Sequence, residues 1–260
     1  MGMPKQPDDP NSLYSPFSET LHQIGFGEHN SFHHFELGTL FWSDVRLFGC
    51  YERIASVLPI ADLDARPFLN ADIEHFIIRF RIVLNDIAFV VRQLLPANAR
   101  GINSPQGGAH PLNREVSFFE LTKRLKVAGD AYSELASVMS CAAVWSDPLR
   151  KQRDQIIHYK AKAVVFESCP LEYALIAVAG TEAIMSTPEG GARIVMHPVP
   201  ELVDGNLVRL YRFVHGDLDH AVRRYADRAG IKRRPAGTGT KMSAIGIARF
   251  RERNNGKLTW

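Results

Sequence analysis

The stretch of this chain best suited to chemistry is LRKQRDQIIHYKAKA, residues 149–163, which sets Arg153, Asp154 and His158 close together. An imidazole with an ordinary pKa near ~6.5 can take or give a proton at neutral pH, and a permanently charged guanidinium can brace charge developing on a phosphoryl group. Just upstream, Asp147 suits an N-cap and Pro148 a first helical turn, so the spacing predicts a helix that starts there and runs to about Lys162. At about 100° per residue, Arg153 and His158 stand roughly 140° apart, whereas Asp154 and His158, four positions apart, differ by about 40° and are within reach of each other. Leu149, Ile156 and Ala163 recur every seven residues and should face the core, which turns His158 toward solvent or a partner. The same residues also admit a plainer reading, in which Arg150, Lys151, Arg153, Asp154, Lys160 and Lys162 solvate a helix face.

The form R-D-x-x-x-H resembles the signature of the HEPN superfamily: an Arg, a following polar residue, and a His four to six residues beyond the Arg. The surrounding plan is similar too, with long antiparallel helices first and the signature near the start of a late helix. The resemblance covers roughly residues 37–166 and implies a mainly α, antiparallel helical bundle of HEPN type. It implies metal-independent endoribonuclease activity with no cofactor. His158 would be general acid or base at a ribose 2′-OH or a leaving 5′ oxygen, Arg153 the phosphate-binding and transition-state group, and Asp154 the residue that orients one of them. The products would be a 2′,3′-cyclic phosphate and a 5′-hydroxyl, and DNA would resist. Active members pair two copies about a twofold axis, so a homodimer with two Arg and two His around one groove is implied, with RNA as substrate. Asn85 and Asp86, on an upstream helix, then become supporting candidates, and Arg150 and Tyr159 candidate RNA contacts. Stress response, phage defence or a toxin restrained by an antitoxin protein are the implied settings. Some toxins of the family carry a Tyr two positions after the His; here Lys160 stands there and Tyr159 is adjacent, which argues against regulation through a modified tyrosine. The alternative is a non-catalytic HEPN module that binds RNA, a nucleotide or a protein partner.

Elements must position these residues, and the apolar spacing predicts where they lie. Residues 1–36 show little periodicity and read as irregular. Leu40, Leu47, Tyr51, Ile54 and Leu58 mark an amphipathic helix over about 39–58, closed by Pro59. The clearest stripe is Ile73, Phe76, Ile77, Phe80, Leu84, Ile87, Val91 and Leu94, a helix over 71–95. It carries two polar lines: His75, Arg79 and Asp86 on one side, Arg81, Asn85 and Arg92 on another. Residues 97–113 are turn-rich and read as a loop. Phe118, Leu121 and Leu125 mark further helix before Gly129, then Tyr132, Leu135, Val138 and Met139 beyond it. The period changes over about 164–199, where short partly alternating runs predict a small β-hairpin or sheet inserted before the last helix. That last helix, about 201–228, buries Leu207, Leu210, Val214, Leu218, Ala221 and Tyr225, with Gly205 and Gly216 as points of fraying or breakage. The organisation expected is therefore an irregular segment 1–36, one helical domain 37–230 and a flexible basic tail 231–260.

Composition bounds the rest. A chain of 260 residues that is 45% hydrophobic can bury a core without disulfides or metal. Cys50, Cys141 and Cys169 are widely spaced, with no CxxC pair, and read as reduced thiols. Net charge is +3, yet residues 231–260 hold eight Lys and Arg against the single acid Glu252. The tail is thus the positive part and the body mildly acidic, an arrangement that suits either a solubilising end or added grip on phosphate backbones. No apolar run approaches the ~18–20 residues that cross a bilayer, and the N-terminus lacks a secretory plan, so the cytoplasm is expected and a membrane is not. Gln6 stands where N-myristoylation of Gly2 would want Ser or Thr. Glu28, His29, His33, His34 and Glu36 include metal-ligand types but read as a polar lead-in. His215 and His220, five apart, do not share a face as HExxH does, so no metal site is expected. The absence of a Walker loop, a GxGxxG turn and a GxSxG elbow removes kinase, dinucleotide-binding and acyl-transfer readings.

Overall fold

Helices form where the apolar stripes predict them, and several extend further. The computed structural model describes residues 16–25, 31–58, 66–95, 117–176, 184–186, 192–232 and Phe250, giving backbone alone for 31–37, Arg66, 184–186, 192 and 193. In chain order these are α1 (Pro16–Gln23), α2 (Ser31–Val57), α3 (Arg66–Leu94), α4 (Phe118–Val127), α5 (Ser133–His158), β1 (Lys162–Phe166), β2 (Cys169–Ile176), β3 (Ile184–Ser186), β4 (Ala192–Ile194), β5 (His197–Pro198), α6 (Asn206–Arg212) and α7 (Asp219–Arg228). The described residues are mainly helical, with a three-stranded antiparallel sheet ordered β1-β2-β5 and a separate β3-β4 hairpin. No described helix is long and apolar enough to cross a membrane.

Two compact units make up the chain, the first from residues 1–45, 84–144 and 210–260, the second from 46–83 and 145–209. In the first, Phe17, Leu21, Ile87, Val91, Leu121, Leu135, Met139 and Val222 are buried, and Phe118 meets Phe213 edge-on at 5.9 Å. The start of α4 is doubly capped: the Ser117 side chain accepts from the Glu120 amide at 3.3 Å, and Asn85 Oδ1 accepts from the Phe118 amide at 3.1 Å. The Thr20 hydroxyl donates to buried Asp219, whose other oxygen lies 2.9 Å from Arg223 Nε.

The second unit packs Ile54, Ile73, Phe76, Leu149, Ile156, Val165 and Tyr173 into its core, with Phe80 edge-on to Trp145 at 6.0 Å. β1 and β2 form a hairpin in which Ala163 pairs with Leu175 and Val165 with Tyr173, and β5 adds two residues to the far side of β2. The outer edge of β1 is covered by side chains of α3: Glu74 Oε1 accepts from the Ala163 amide at 3.0 Å and Asn70 Oδ1 from the Val165 amide at 2.9 Å. Asn70 and Glu74 sit one helical turn apart, so a single face of α3 serves two edge amides.

Four expectations need correction. The segment 1–36 contains α1 and the first residues of α2; Phe17 and Leu21 are buried, but one turn of apolar spacing is too short to register as periodicity. The predicted helix start at Asp147 and Pro148 lies inside α5, which is continuous from Ser133. Proline removes one backbone N–H and so frees the carbonyl four residues back, that of Val144, whose exposed position lets solvent satisfy it. The last helical run does not break at its glycines: Gly205 and Gly216 fall in π-helical turns, Glu201–Gly205 and Phe213–Leu218, and the six predicted apolar positions are all buried. Within the segment taken as a flexible tail, Phe250 is 0% exposed and its ring packs 5.6 Å from that of Tyr211. The predicted loop 97–113 lies outside the described residues.

Candidate functional site

The C-terminal half of α5 is oriented by its buried side. Leu149 and Ile156 face the core, and Gln152 between them accepts a 2.9 Å hydrogen bond from the hydroxyl of Tyr173, which is 1% exposed on β2. Burial pushes the Tyr173 phenol well above its usual range, so it stays a donor at physiological pH. The ring of His197, on β5, packs 5.3 Å from that of Tyr173, and burial lowers its pKa. This anchor fixes the rotation of α5 and turns Arg150, Arg153, Asp154 and His158 outward.

On that outward face the charges form a ladder. Arg150 Nε donates to Asp147 at 2.8 Å, and its Nη1 lies 3.6 Å from Asp154. Lys151 Nζ lies 3.1 Å from Asp147, and Arg153 Nη1 donates to Asp154 at 3.0 Å. Desolvation pushes the Asp147 carboxyl up, but hydrogen bonds from Arg150 and Lys151 outweigh it and hold the carboxyl below its ordinary range. Asp154 therefore answers to two arginines and not to His158, which is the reverse of the orientation that four-residue spacing suggests. A nearby guanidinium outcompetes a neutral imidazole for a carboxylate. The His158 side chain is exposed and makes no hydrogen bond among the described residues. Just beyond it, the amides of Tyr159 and Ala161 both turn back to the Gln155 carbonyl at 3.1 Å, and Lys160 between them takes a left-handed φ of 53°. Tyr159 is 67% exposed and Ile157 44%.

A further member comes from α3. Arg81 is half-buried, and burial lowers its pKa to about 10, with Asp154 opposing that shift while Arg153 and Arg150 add to it. It remains charged at neutral pH in the field of the α5 ladder. Sequence reasoning placed Arg81 on a polar line of α3 but had no means of aiming that line at residues some seventy positions away. Asn85 and Asp86, the candidates it favoured, belong to the other compact unit. There Asn85 caps α4, and Asp86 accepts the Ser43 hydroxyl at 2.5 Å, with burial raising the Asp86 pKa and that bond lowering it.

Among the described residues no three His, Cys, Asp or Glu side chains converge as metal ligands would. Glu28 and His29 lie outside the described residues, and of His33, His34 and Glu36 only the backbone is described. His215 is buried, its ring 6.1 Å from that of Tyr211, and His220 is exposed. Cys50, Cys141 and Cys169 are free thiols.

The outward face of α5 thus combines guanidinium groups held in place by carboxylates, an accessible imidazole and an exposed phenol. It can bind an anion and exchange a proton beside it. No protein-family model, curated protein or solved structure matches the chain.

Proposed function

We propose that the protein is a metal-independent endoribonuclease of HEPN type, working in the cytoplasm as a homodimer. The observation that supports this best is the ladder of Arg150, Asp154 and Arg153 on a face of α5 that ends in exposed His158. In this reading His158 removes the proton of a ribose 2′-OH, the 2′ oxygen attacks the adjacent phosphorus, and the P–O5′ bond breaks. The leaving oxygen is protonated by the partner subunit's His158, leaving a 2′,3′-cyclic phosphate and a 5′-hydroxyl. Arg153 stabilises charge on the non-bridging oxygens. Ile157 and Tyr159, which expose apolar surface next to His158 in the chain, support the docking of a second copy there. Stress response, phage defence or a toxin paired with an antitoxin protein are the settings that suit such an activity.

A second reading follows from one observation: Asp154 is engaged by arginines, so among the described residues His158 lacks the partner that would orient it. A HEPN module that binds RNA, a nucleotide or a protein without cutting would have this arrangement. Incubating single-stranded and transfer RNA with purified protein in EDTA, and reading product ends for wild type and His158→Ala, separates the two. Cyclic-phosphate ends that vanish in the variant support the nuclease. Intact RNA with wild type, or equal cutting by both proteins, supports the binding module.

A further inference from the structure

We propose that Asp154 and an RNA phosphodiester compete for the guanidinium of Arg153, so that binding displaces the carboxylate. The proposal rests on reading the face as RNA-binding but not on cleavage. Asp154 engages both neighbouring arginines: its Oδ1 accepts from Arg153 Nη1 at 3.0 Å, and its Oδ2 lies 3.6 Å from Arg150 Nη1. A guanidinium grips a carboxylate and a phosphate in the same way, through N–H groups aimed at two anionic oxygens. The nitrogen that Arg153 gives to Asp154 is therefore one that a phosphate would also take, and two anions crowded on one guanidinium repel each other.

Displacement is cheap at this position. The Arg153 and Asp154 side chains are 32% and 35% exposed, and a pair screened by solvent to that degree holds weakly. The helix beneath does not have to move, because Tyr173 of β2 holds Gln152 on the opposite side of α5 and is itself paired with Val165 of β1. A carboxylate released from Arg153 also has somewhere to go. Asp154 and His158 stand one helical turn and about 40° apart, so the freed side chain comes within reach of the imidazole. RNA binding would thus supply His158 with the orienting partner that it lacks among the described residues. Asp154 is in this sense a positioning residue, acting through Arg153 on binding and through His158 afterwards.

The test is binding of a labelled 2′-O-methyl oligouridylate, which a 2′-OH mechanism cannot cut, to the full chain over a range of salt. Asp154→Asn is expected to tighten binding about two- to fivefold, the worth of one exposed ion pair. It should also steepen the fall of log affinity with log salt by up to about 0.7, the share of one single-strand phosphate. Asp154→Glu keeps the charge and should keep the wild-type slope, which a merely structural role would not predict; Asp154→Ser serves if Asp154→Asn does not fold. In an Arg153→Gln background the gain from Asp154→Asn should shrink, because its beneficiary is gone. The proposal is overturned if Asp154→Asn binds no more tightly than wild type, or if the gain is equal with and without Arg153, the mark of a general charge effect. Wild type that does not bind the oligomer overturns the RNA reading together with this inference. Where unmodified RNA is cut, Asp154→Asn should lower KM and kcat together. Wild type that binds yet leaves unmodified RNA intact removes the nuclease reading and leaves this inference standing.

Discussion

The Arg153 guanidinium lies 3.0 Å from the carboxylate of its chain neighbour Asp154, and both side chains are about one-third exposed. Partly exposed pairs of this kind stabilise a fold by about 0–1 kcal/mol, because solvent screens them. Asp154→Asn and His158→Ala should therefore each unfold within about 1 kcal/mol of wild type in urea. If the proposed chemistry holds, His158→Ala lowers RNA cleavage by at least about 100-fold. A large loss of stability in either variant would show that these residues build the fold instead of serving its surface.

Asp44 in the first unit accepts a 3.1 Å hydrogen bond from Tyr211, yet burial raises its pKa to about 6 against that bond's opposing effect. An acid whose folded pKa exceeds its unfolded value stabilises the fold most when protonated. That contribution is full below about pH 4 and is lost as pH rises through about 6. The full shift would correspond to about 3 kcal/mol, and solvent at the half-buried Asp44 side chain reduces that. Asp86, raised in the same direction, adds to the trend. Asp44→Asn should flatten the stability profile between these pH values. An unchanged slope in urea titrations at several pH values counts against the burial of Asp44.

How much of this was legible in the sequence differs from element to element. The α3 stripe was readable because eight apolar residues repeat over six turns, and all but Leu94 are buried. The strands are legible because the period changes near 164, two residues into β1, although β5, two residues long, could not be separated from β4. Pro148 misled because Asp-Pro is a local start signal, while the buried residues on both sides of it, Ala142 and Leu149, keep α5 continuous. At the site, residue types were readable but pairing was not. Helical spacing allows Asp154 to reach either Arg150 or His158, and only the full set of neighbouring charges decides between them. Arg81 needed the packing of α3 near α5, which no local pattern contains.

The edge of β1 depends on α3. Asn70 and Glu74 accept from the Val165 and Ala163 amides, both on residues that are nearly buried. Replacing either by Ala leaves an amide with neither partner nor free access to water, at a cost of about 1–3 kcal/mol each. Hydrogen exchange at the two amides should quicken selectively, Val165 in Asn70→Ala and Ala163 in Glu74→Ala. Equal acceleration throughout the sheet in both variants would mean that global opening, not local capping, had been measured.

Lys160 adopts a φ of 53° at the end of α5. Side chains with a Cβ are strained there, and glycine is not. Lys160→Gly should stabilise the protein by about 0.5–1 kcal/mol while removing one exposed charge near His158. A rise in melting temperature together with weaker RNA binding would assign the two roles separately, strain to the backbone and attraction to the ammonium group. A fall in melting temperature would contradict the left-handed turn.

Phe250 gives the sharpest contrast between the two views of the C-terminal segment. A solvated basic tail could be removed from residue 249 onward without effect on stability. Yet the Phe250 ring is 0% exposed and packs on Tyr211, whose hydroxyl in turn donates to Asp44. Truncating a fully buried phenylalanine to Ala costs about 3–5 kcal/mol, and the exposed Tyr211 face would also admit water to the Asp44 carboxylate. Phe250→Ala should therefore lower stability by that amount and also weaken the pH dependence assigned to Asp44, since a better-solvated carboxylate titrates closer to its ordinary range. Urea unfolding of this variant at pH 4 and pH 7 reads both effects. A curve that matches wild type at both pH values returns the segment to a flexible tail.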